Sequence, residues 1–426
     1  MTTGTKSEEL TFYSGMTEPV DDSSAIDCLD DPLREISEKF YSMGDVIRGH
    51  GSGNGAYVNF GGYRFPNILA PAQSCTGEVY GVVSWEAHRQ LYTHPATSSS
   101  LFKGSVEPFF GPTLSPKDPP EHTKYRAVMQ LGFMPKQIEG YKDTIARPVL
   151  ARRFSALRKK GRADLVREIN VFYPYEIVGR IVGYDFADVE FVAACMDGIW
   201  QGNHDIDTAV KAGKDLREYA AKLIAKRRAD PKDDYVSALF DAEVDGKKIT
   251  EEQLVGLVNH FLSGGIETTY RQTSLLVYDL LNHPEQLELL RGNRELIPRA
   301  VEETLRYDGI GGSTCRNLKE DAEICGTRIL QGSVVFTFHL CANRDPSRWE
   351  NPHEYDIARP QQRQLAFAMG PHMCIGQHLA RFLLGEYLTH FLDDFPNVRW
   401  DPKAQVPKPT GWNQRACSAL PVVWDA

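Results

Sequence analysis

Apolar residues recur at three- and four-residue spacing through most of this chain, and that period predicts a mainly α-helical protein. An amphipathic helix is expected over 31–43. Short strands are expected at 56–60 and 78–83, where β-branched and aromatic residues cluster between turn signals. A helix over 84–93 opens on a serine N-cap and stops before His94-Pro95. From Thr97 to Asp118 Ser, Gly and Pro dominate, and Phe102, Phe109 and Phe110 follow no period, so a long functional loop is expected there. Helical spacing resumes after Asp118-Pro119-Pro120 and holds to about Tyr307, with a turn at Gly246-Lys247-Lys248 and a new helix start at Thr250. The longest apolar helix is expected from Glu251 to Asn282. Gly264-Gly265 interrupts it, each glycine costing about 1 kcal/mol against alanine, and a helix that keeps such a defect gains something from it. Short strands and turns are expected over 309–360, a last helix after Cys374, and a hairpin over 405–426. With no repeat or linker, the pattern reads as one mostly helical domain with a small β region at 28–426, behind a polar leader at 1–27.

Composition narrows the function classes. A chain of 426 residues, 42% hydrophobic and 25% charged, has enough apolar material to enclose a cofactor. A net charge of −9 argues against nucleic acid or an anionic membrane surface as the main partner. The eight cysteines are scattered with no Cys-x-x-Cys pair, which fits a reducing cytoplasm better than a disulfide scaffold. No run of about 18 apolar residues is present, and the first 27 residues lack a basic and an apolar region. A soluble cytoplasmic monomer is expected.

The chemistry concentrates at Phe367-Ala-Met-Gly370-Pro-His372-Met-Cys374-Ile-Gly376. A cysteine that immediately precedes an apolar-periodic helix has its sulfur near the helix N-terminus, where free N–H groups favour thiolate. Gly370 and Gly376 would let backbone approach a flat cofactor, and Phe367 would shield the sulfur. A thiolate so held suits a haem iron. Elsewhere, Glu303 and Arg306 share a helix face at i,i+3, and His122 and Arg126 share one at i,i+4, the latter pair suited to a carboxylate or to solvent. In Gly264-Gly265-Ile266-Glu267-Thr268-Thr269, a threonine hydroxyl bonding back to the carbonyl four residues earlier would distort the helix and open a groove.

The loop around Cys374, followed by Leu379-Ala380-Arg381, resembles the haem-binding loop of the cytochrome P-450 family, with Ala368 where glycine or serine is common. Ala342-Asn343-Arg344-Asp345-Pro346 and Leu296-Ile297-Pro298-Arg299-Ala300 are similar to further stretches of bacterial members. The resemblance covers most of the chain apart from the leader and 97–116. It implies a triangular helical prism enclosing haem b, with Cys374 as the iron ligand. By the same resemblance Glu303, Arg306 and Arg359 are a structural lock, and Thr268 with Glu267 is an acid–alcohol pair that steadies dioxygen and relays protons. His122, Arg126, Arg316 and His372 would hold the propionates, and Phe367, Gly376 and Gly264 would border the cofactor.

The implied activity is insertion of one oxygen atom from dioxygen into a C–H bond, giving hydroxylation or, beside an ether oxygen, O-dealkylation. Electrons would come from NAD(P)H through a separate ferredoxin and ferredoxin reductase. The pocket walls implied are 97–116, 259–264 and 309–314, with Phe102, Phe109, Phe110, Ser313, Thr314 and Trp412 as candidate contacts. The small residues of Gly309-Ile-Gly-Gly-Ser-Thr314 suggest room for a compact, partly polar substrate, an aromatic methyl ether or a terpenoid. The competing readings are a peroxide-using haem-thiolate enzyme, a haem sensor without turnover, and a zinc hydrolase built on His372, Cys374 and His378.

Overall fold

Local signals set where the elements begin. The computed structural model describes residues 57–61, 78–200, 206–311, 313–406, 408–409 and 414–426. The leader, the helix expected at 31–43, and Trp412 lie outside the described residues. Strands β1 (Tyr57–Gly61) and β2 (Val79–Val82) match the first two expected strands. Helix α1 (Trp85–Thr93) follows, its first turn capped by Ser84, whose hydroxyl accepts from the Ala87 N–H at 3.1 Å. After the short strand β3 (Thr97–Ser98) comes helix α2 (Lys103–Phe110), where a loop was expected. Pro108 and Gly104 speak against a helix there, and tertiary packing overrides them. Phe110 is buried, Asn259 Nδ2 donates to its carbonyl at 3.1 Å, and Arg217 donates to the carbonyl of Phe109 at 2.9 Å.

Helices α3 (Glu121–Met129), α4 (Phe172–Val182) and α5 (Ile206–Ala229) build the expected helical middle, with β4 (Arg162–Asp164) between the first two. A hairpin of β5 (Glu243–Val244) and β6 (Lys247–Lys248) carries the Gly246 turn. Helix α6 (Glu251–Gly265) starts with a full capping box: Gln253 N–H donates to Thr250 Oγ1 at 3.2 Å, and Thr250 N–H donates to Gln253 Oε1 at 2.8 Å. The single long helix expected here is two, since α7 (Glu267–Asn282) restarts after Ile266, whose ψ of −68° departs from the helical run. Thr268 and Thr269 hydroxyls donate to the carbonyls of Gly264 and Gly265 at 2.6 and 2.7 Å, four residues back, the distortion their positions predicted.

Helix α8 (Ile297–Tyr307) leads into β7 (Ser313–Leu318), the pair β8 (Ala322–Ile324) and β9 (Thr327–Ile329), and β10 (Val334–Phe338). The main sheet runs β1-β2-β10-β7-β3, with β10 buried along its whole length and parallel to β2. Helix α9 (Gln377–Asp394) follows Cys374 as expected. Within 405–426, where a hairpin was expected, the described residues hold one strand, β12 (Pro421–Val423). It pairs with β11 (Arg399–Trp400) and with β4, and Asp164 accepts from the Leu420 N–H at 2.9 Å. Alternation was legible in this segment, but the partner strand is too far along the chain to be read locally.

One apolar cluster runs from Phe110 to Trp424 and includes α6, α7 and α9. No helix among the described residues is long and apolar enough to cross a membrane. Backbone approach is closest where α6 meets the loop after α2: a Cβ at Gly256 would lie 1.9 Å from the Pro112 carbonyl oxygen. Gly256→Ala is therefore expected to lower stability by about 2 kcal/mol or more, as overpacking does. Denaturant unfolding checks this, and an unchanged midpoint would contradict it.

Candidate active site

Cys374 sits on a loop whose backbone is folded back on itself. Its N–H donates to the Phe367 carbonyl at 3.0 Å, and Met373 N–H donates to Gly370 at 3.1 Å. Gly370 has φ +72°, and a Cβ there would lie 2.3 Å from the Tyr92 carbonyl oxygen, so only glycine fits. Ala368, at φ +53°, occupies left-handed backbone that costs a side chain about 1 kcal/mol. This is the position where the resemblance expected glycine or serine.

Cys374 is surrounded by protein but exposed to a cavity of about 400 Å³ that it lines. Burial pushes the Cys374 thiol up, while the N–H groups of Gly376 and Gln377 and the charges of Arg126 and Arg381 pull it down. Burial wins. The N–H groups at the helix start act towards thiolate, and a cation against the sulfur would add to them.

The cavity draws together residues remote in sequence. Phe367, His372, Cys374 and Gly376 line one side, Gly264 and Thr268 another, and His122, Arg126 and Arg316 the rim. His122 is 1% exposed and neither ring nitrogen has a partner, nor has Nε2 of His372, whose ring centroid lies 4.1 Å away. Burial, then the neighbouring arginines, push His122 down to about 4. Burial, Arg316, His122 and Arg126 push His372 down to about 3. Arg316 is buried, donates to the Cys315 carbonyl at 2.7 Å and lies over the Tyr92 ring at 5.1 Å. Among the described residues no carboxylate pairs with Arg126 or Arg316 within the rim. Buried donors without acceptors call for anions. A flat cofactor with two carboxylates and a metal for the sulfur fits this donor set, and haem is such a group. Gly264 adds to the fit, since no protein atom lies within 4 Å of where its Cβ would be.

Glu267 and Thr268 do not share the cavity. Glu267 is 4% exposed and turned away, accepting from Arg271 Nε at 3.3 Å and from the Tyr175 hydroxyl at 3.4 Å. Neither Arg271 nor Tyr175 was singled out in the sequence, and neither carries a motif signal. Of the candidate pocket residues Thr314 reaches the cavity. Ser313 does not, because β7 alternates and places Thr314 and Arg316 on the cavity face. Phe102, Phe109 and Phe110 do not line it either, since α2 turns towards α5 and α6. Ser115 and His260 do, inside two of the stretches expected as walls, and Gln272 does from outside them. His372, Cys374 and His378 are not gathered into a metal-holding group of three, nor is any other set among the described residues.

Behind the cavity, Glu303 is held at both oxygens by Arg306 at 2.8 and 2.7 Å, and Arg359 reaches it at 3.2 Å. Arg306, 1% exposed, also donates to the carbonyls of Asn343, Pro352 and Glu354. The knot ties α8 to the segment before the Cys374 loop. Removing the central charge leaves two arginines with carbonyl acceptors but no carboxylate. Glu303→Gln is expected to cost about 3–5 kcal/mol in denaturant unfolding, and a loss below about 1 kcal/mol would contradict the structural role.

A family model described as Cytochrome P450 matches residues 199–422. The vitamin D3 dihydroxylase of Streptomyces griseolus is 33% identical over 387 residues, covering 85% of this chain and 94% of that one. Among solved structures, the LnmA cytochrome P450 hydroxylase of Streptomyces atroolivaceus superposes with a TM-score of 0.75 at 30% identity, over 86% of this chain and 97% of that one. CYP109E1 of Bacillus megaterium, in complex with testosterone, gives 0.74 at 26% identity over 82% and 94%.

Proposed function

The chain belongs to the cytochrome P450 family, and from that premise we propose that it oxidises a C–H bond of a compact, largely apolar organic molecule. Its fold is the family's, mainly α with small sheets. It is a monooxygenase with haem b as cofactor, dioxygen as co-substrate and NAD(P)H as the electron source through redox partners. The finer reading assigns those partners as a separate ferredoxin and its reductase. It assigns the product as an alcohol or, where the attacked carbon bears an ether oxygen, an O-dealkylated compound.

One observation carries the site assignment. A single cavity joins the open sulfur of Cys374, a rim of donors with no carboxylate partner among the described residues, and Thr268 at a helix break. Bound haem supplies the activation of dioxygen and the transfer of one oxygen atom to the substrate. Cys374 would be its sulfur ligand, and His122, Arg126, Arg316 and His372 would take its carboxylates. Phe367, Gly376 and Gly264 would border it. Thr268 donates to the Gly264 carbonyl, so its own oxygen is left to accept a proton-bearing group in the cavity. Glu267 keeps a carboxylate behind the helix and takes part in proton delivery once it leaves Arg271. The relatives' names fit hydroxylation of ring compounds, one a vitamin D3 dihydroxylase and another crystallised with testosterone.

The absorption spectrum of the reduced, carbon monoxide-bound protein tests the ligand. A red-shifted Soret band, lost in Cys374→His, is expected, and an unshifted wild-type band would refute the assignment. Thr268→Ala is expected to cut product formation by about 10²-fold while NAD(P)H oxidation continues. Equal loss of both would remove Thr268 from proton handling.

A further inference from the structure

Among the polar side chains on the cavity wall, several are already engaged. Thr268 and Thr269 donate to carbonyls of their own helix. Gln272 donates to the Asp308 carbonyl at 3.4 Å and accepts from the Ile310 N–H at 3.1 Å. His260, Ser115 and Thr314 also line the cavity and keep side-chain groups open to it. The two hydroxyls rotate. The imidazole does not.

His260 lies one turn before Gly264 on α6, on the same helix face. Its Nδ1 accepts the Leu114 N–H at 3.2 Å. A neutral imidazole that accepts at Nδ1 carries its proton at Nε2. Burial, with His122 adding to it, pushes the ring down to about 4, so it stays neutral at ordinary pH. Among the described residues Nε2 has no hydrogen-bond partner. Ser115, next along the chain from Leu114, also lines the cavity. The neighbouring backbone is fastened too, by Asn259 Nδ2 on the Phe110 carbonyl and by the tight approach of Gly256 to Pro112. The donor is therefore held in place before any ligand arrives.

We propose that His260 Nε2–H is a docking point for one oxygen acceptor on an otherwise apolar substrate. The proposal rests on the monooxygenase reading above and narrows its substrate class to compact cyclic carbonyl or ether compounds. A carboxylate does not suit this point, because a neutral ring offers a hydrogen bond but no charge to offset its desolvation. His260 is a specificity-determining residue. It sets which face of the substrate is presented, not the chemistry.

Full-length, haem-loaded protein is titrated with 1-tetralone and with tetralin, which share a skeleton and differ by one carbonyl. The haem spin-state shift is the readout. Wild type is expected to bind the ketone about threefold to tenfold more tightly, the range of one net hydrogen bond. His260→Asn keeps an acceptor for the Leu114 N–H but has no atom at Nε2, and is expected to bring the ratio to about one with tetralin affinity retained. His260→Gln, whose amide N–H reaches towards the Nε2 position, is expected to restore part of the preference. No ketone preference in wild type, or no shift with either compound at its solubility limit, overturns the proposal whether or not the variants fold. Equal weakening of both ligands in His260→Asn overturns it as well, by making the residue purely structural. If these failures occur with the red-shifted carbon monoxide band intact, this inference falls alone. If that band is absent, the reading beneath it falls too.

Discussion

Two arginines and two neutral histidines line one cavity with no carboxylate beside them among the described residues, and the rest of the site is arranged around that imbalance. Taking a guanidinium out of water costs several kcal/mol unless something offsets it. Arg316 recovers part through the Cys315 carbonyl and the Tyr92 ring. Arg126 is drawn by the sulfur of Cys374. The histidines escape the cost by staying neutral, which leaves ring nitrogens without partners. A ligand that brings two carboxylates and a cation relieves all of these at once, so its binding energy is in large part folding energy. In the Glu303 knot, by contrast, the carboxylate and both arginines find hydrogen-bond partners within the protein. Scaffold and cofactor seat are thus stabilised by separate means.

The broken helix obeys a different constraint. Its first half is clamped to the loop after α2 through Gly256, Asn259 and His260. Its second half is tied to other walls, through Gln272 to residues 308–310 and through Arg271 to the carbonyl of Gln414 at 2.7 Å. The irregular residue between them is Ile266, with ψ −68°. Thr268 sits at the junction, so the position of its hydroxyl is set by two bodies of structure. Glu267, one residue earlier, faces the opposite way for the same reason.

How far all this could be read in advance depended on distance along the chain. The loop around Cys374, the Glu303 and Arg306 pair and the His122 and Arg126 pair are short-range patterns, and their residues sit together in the structure. The capping signals at Ser84 and Thr250 are local too. Helix α2 was missed because Pro108 and Gly104 dominate its sequence, while the contacts that hold it come from Arg217 and Asn259. The three phenylalanines expected in the pocket followed from that error. Ser313 was missed by one residue of strand register. Arg271, Tyr175 and the tautomer of His260 were illegible because each depends on which groups a distant segment happens to present. The pairing of β12 with β4 was illegible for the same reason, its alternation being real and its partner remote.

That remote pairing bears on how the chain comes into being. Leu420 meets Asp164 across 256 residues of sequence. During synthesis, β4 emerges with an open edge and keeps it until nearly all the intervening chain has followed, Cys374 included. An edge left unpaired for so long invites pairing with other chains. The short length of β4, at Arg162–Asp164, limits that hazard. The closing contact is also among those of greatest sequence separation, the kind that slows folding most. The β4–β12 seam is a late lock, closed only after the cofactor-bearing loop has been made.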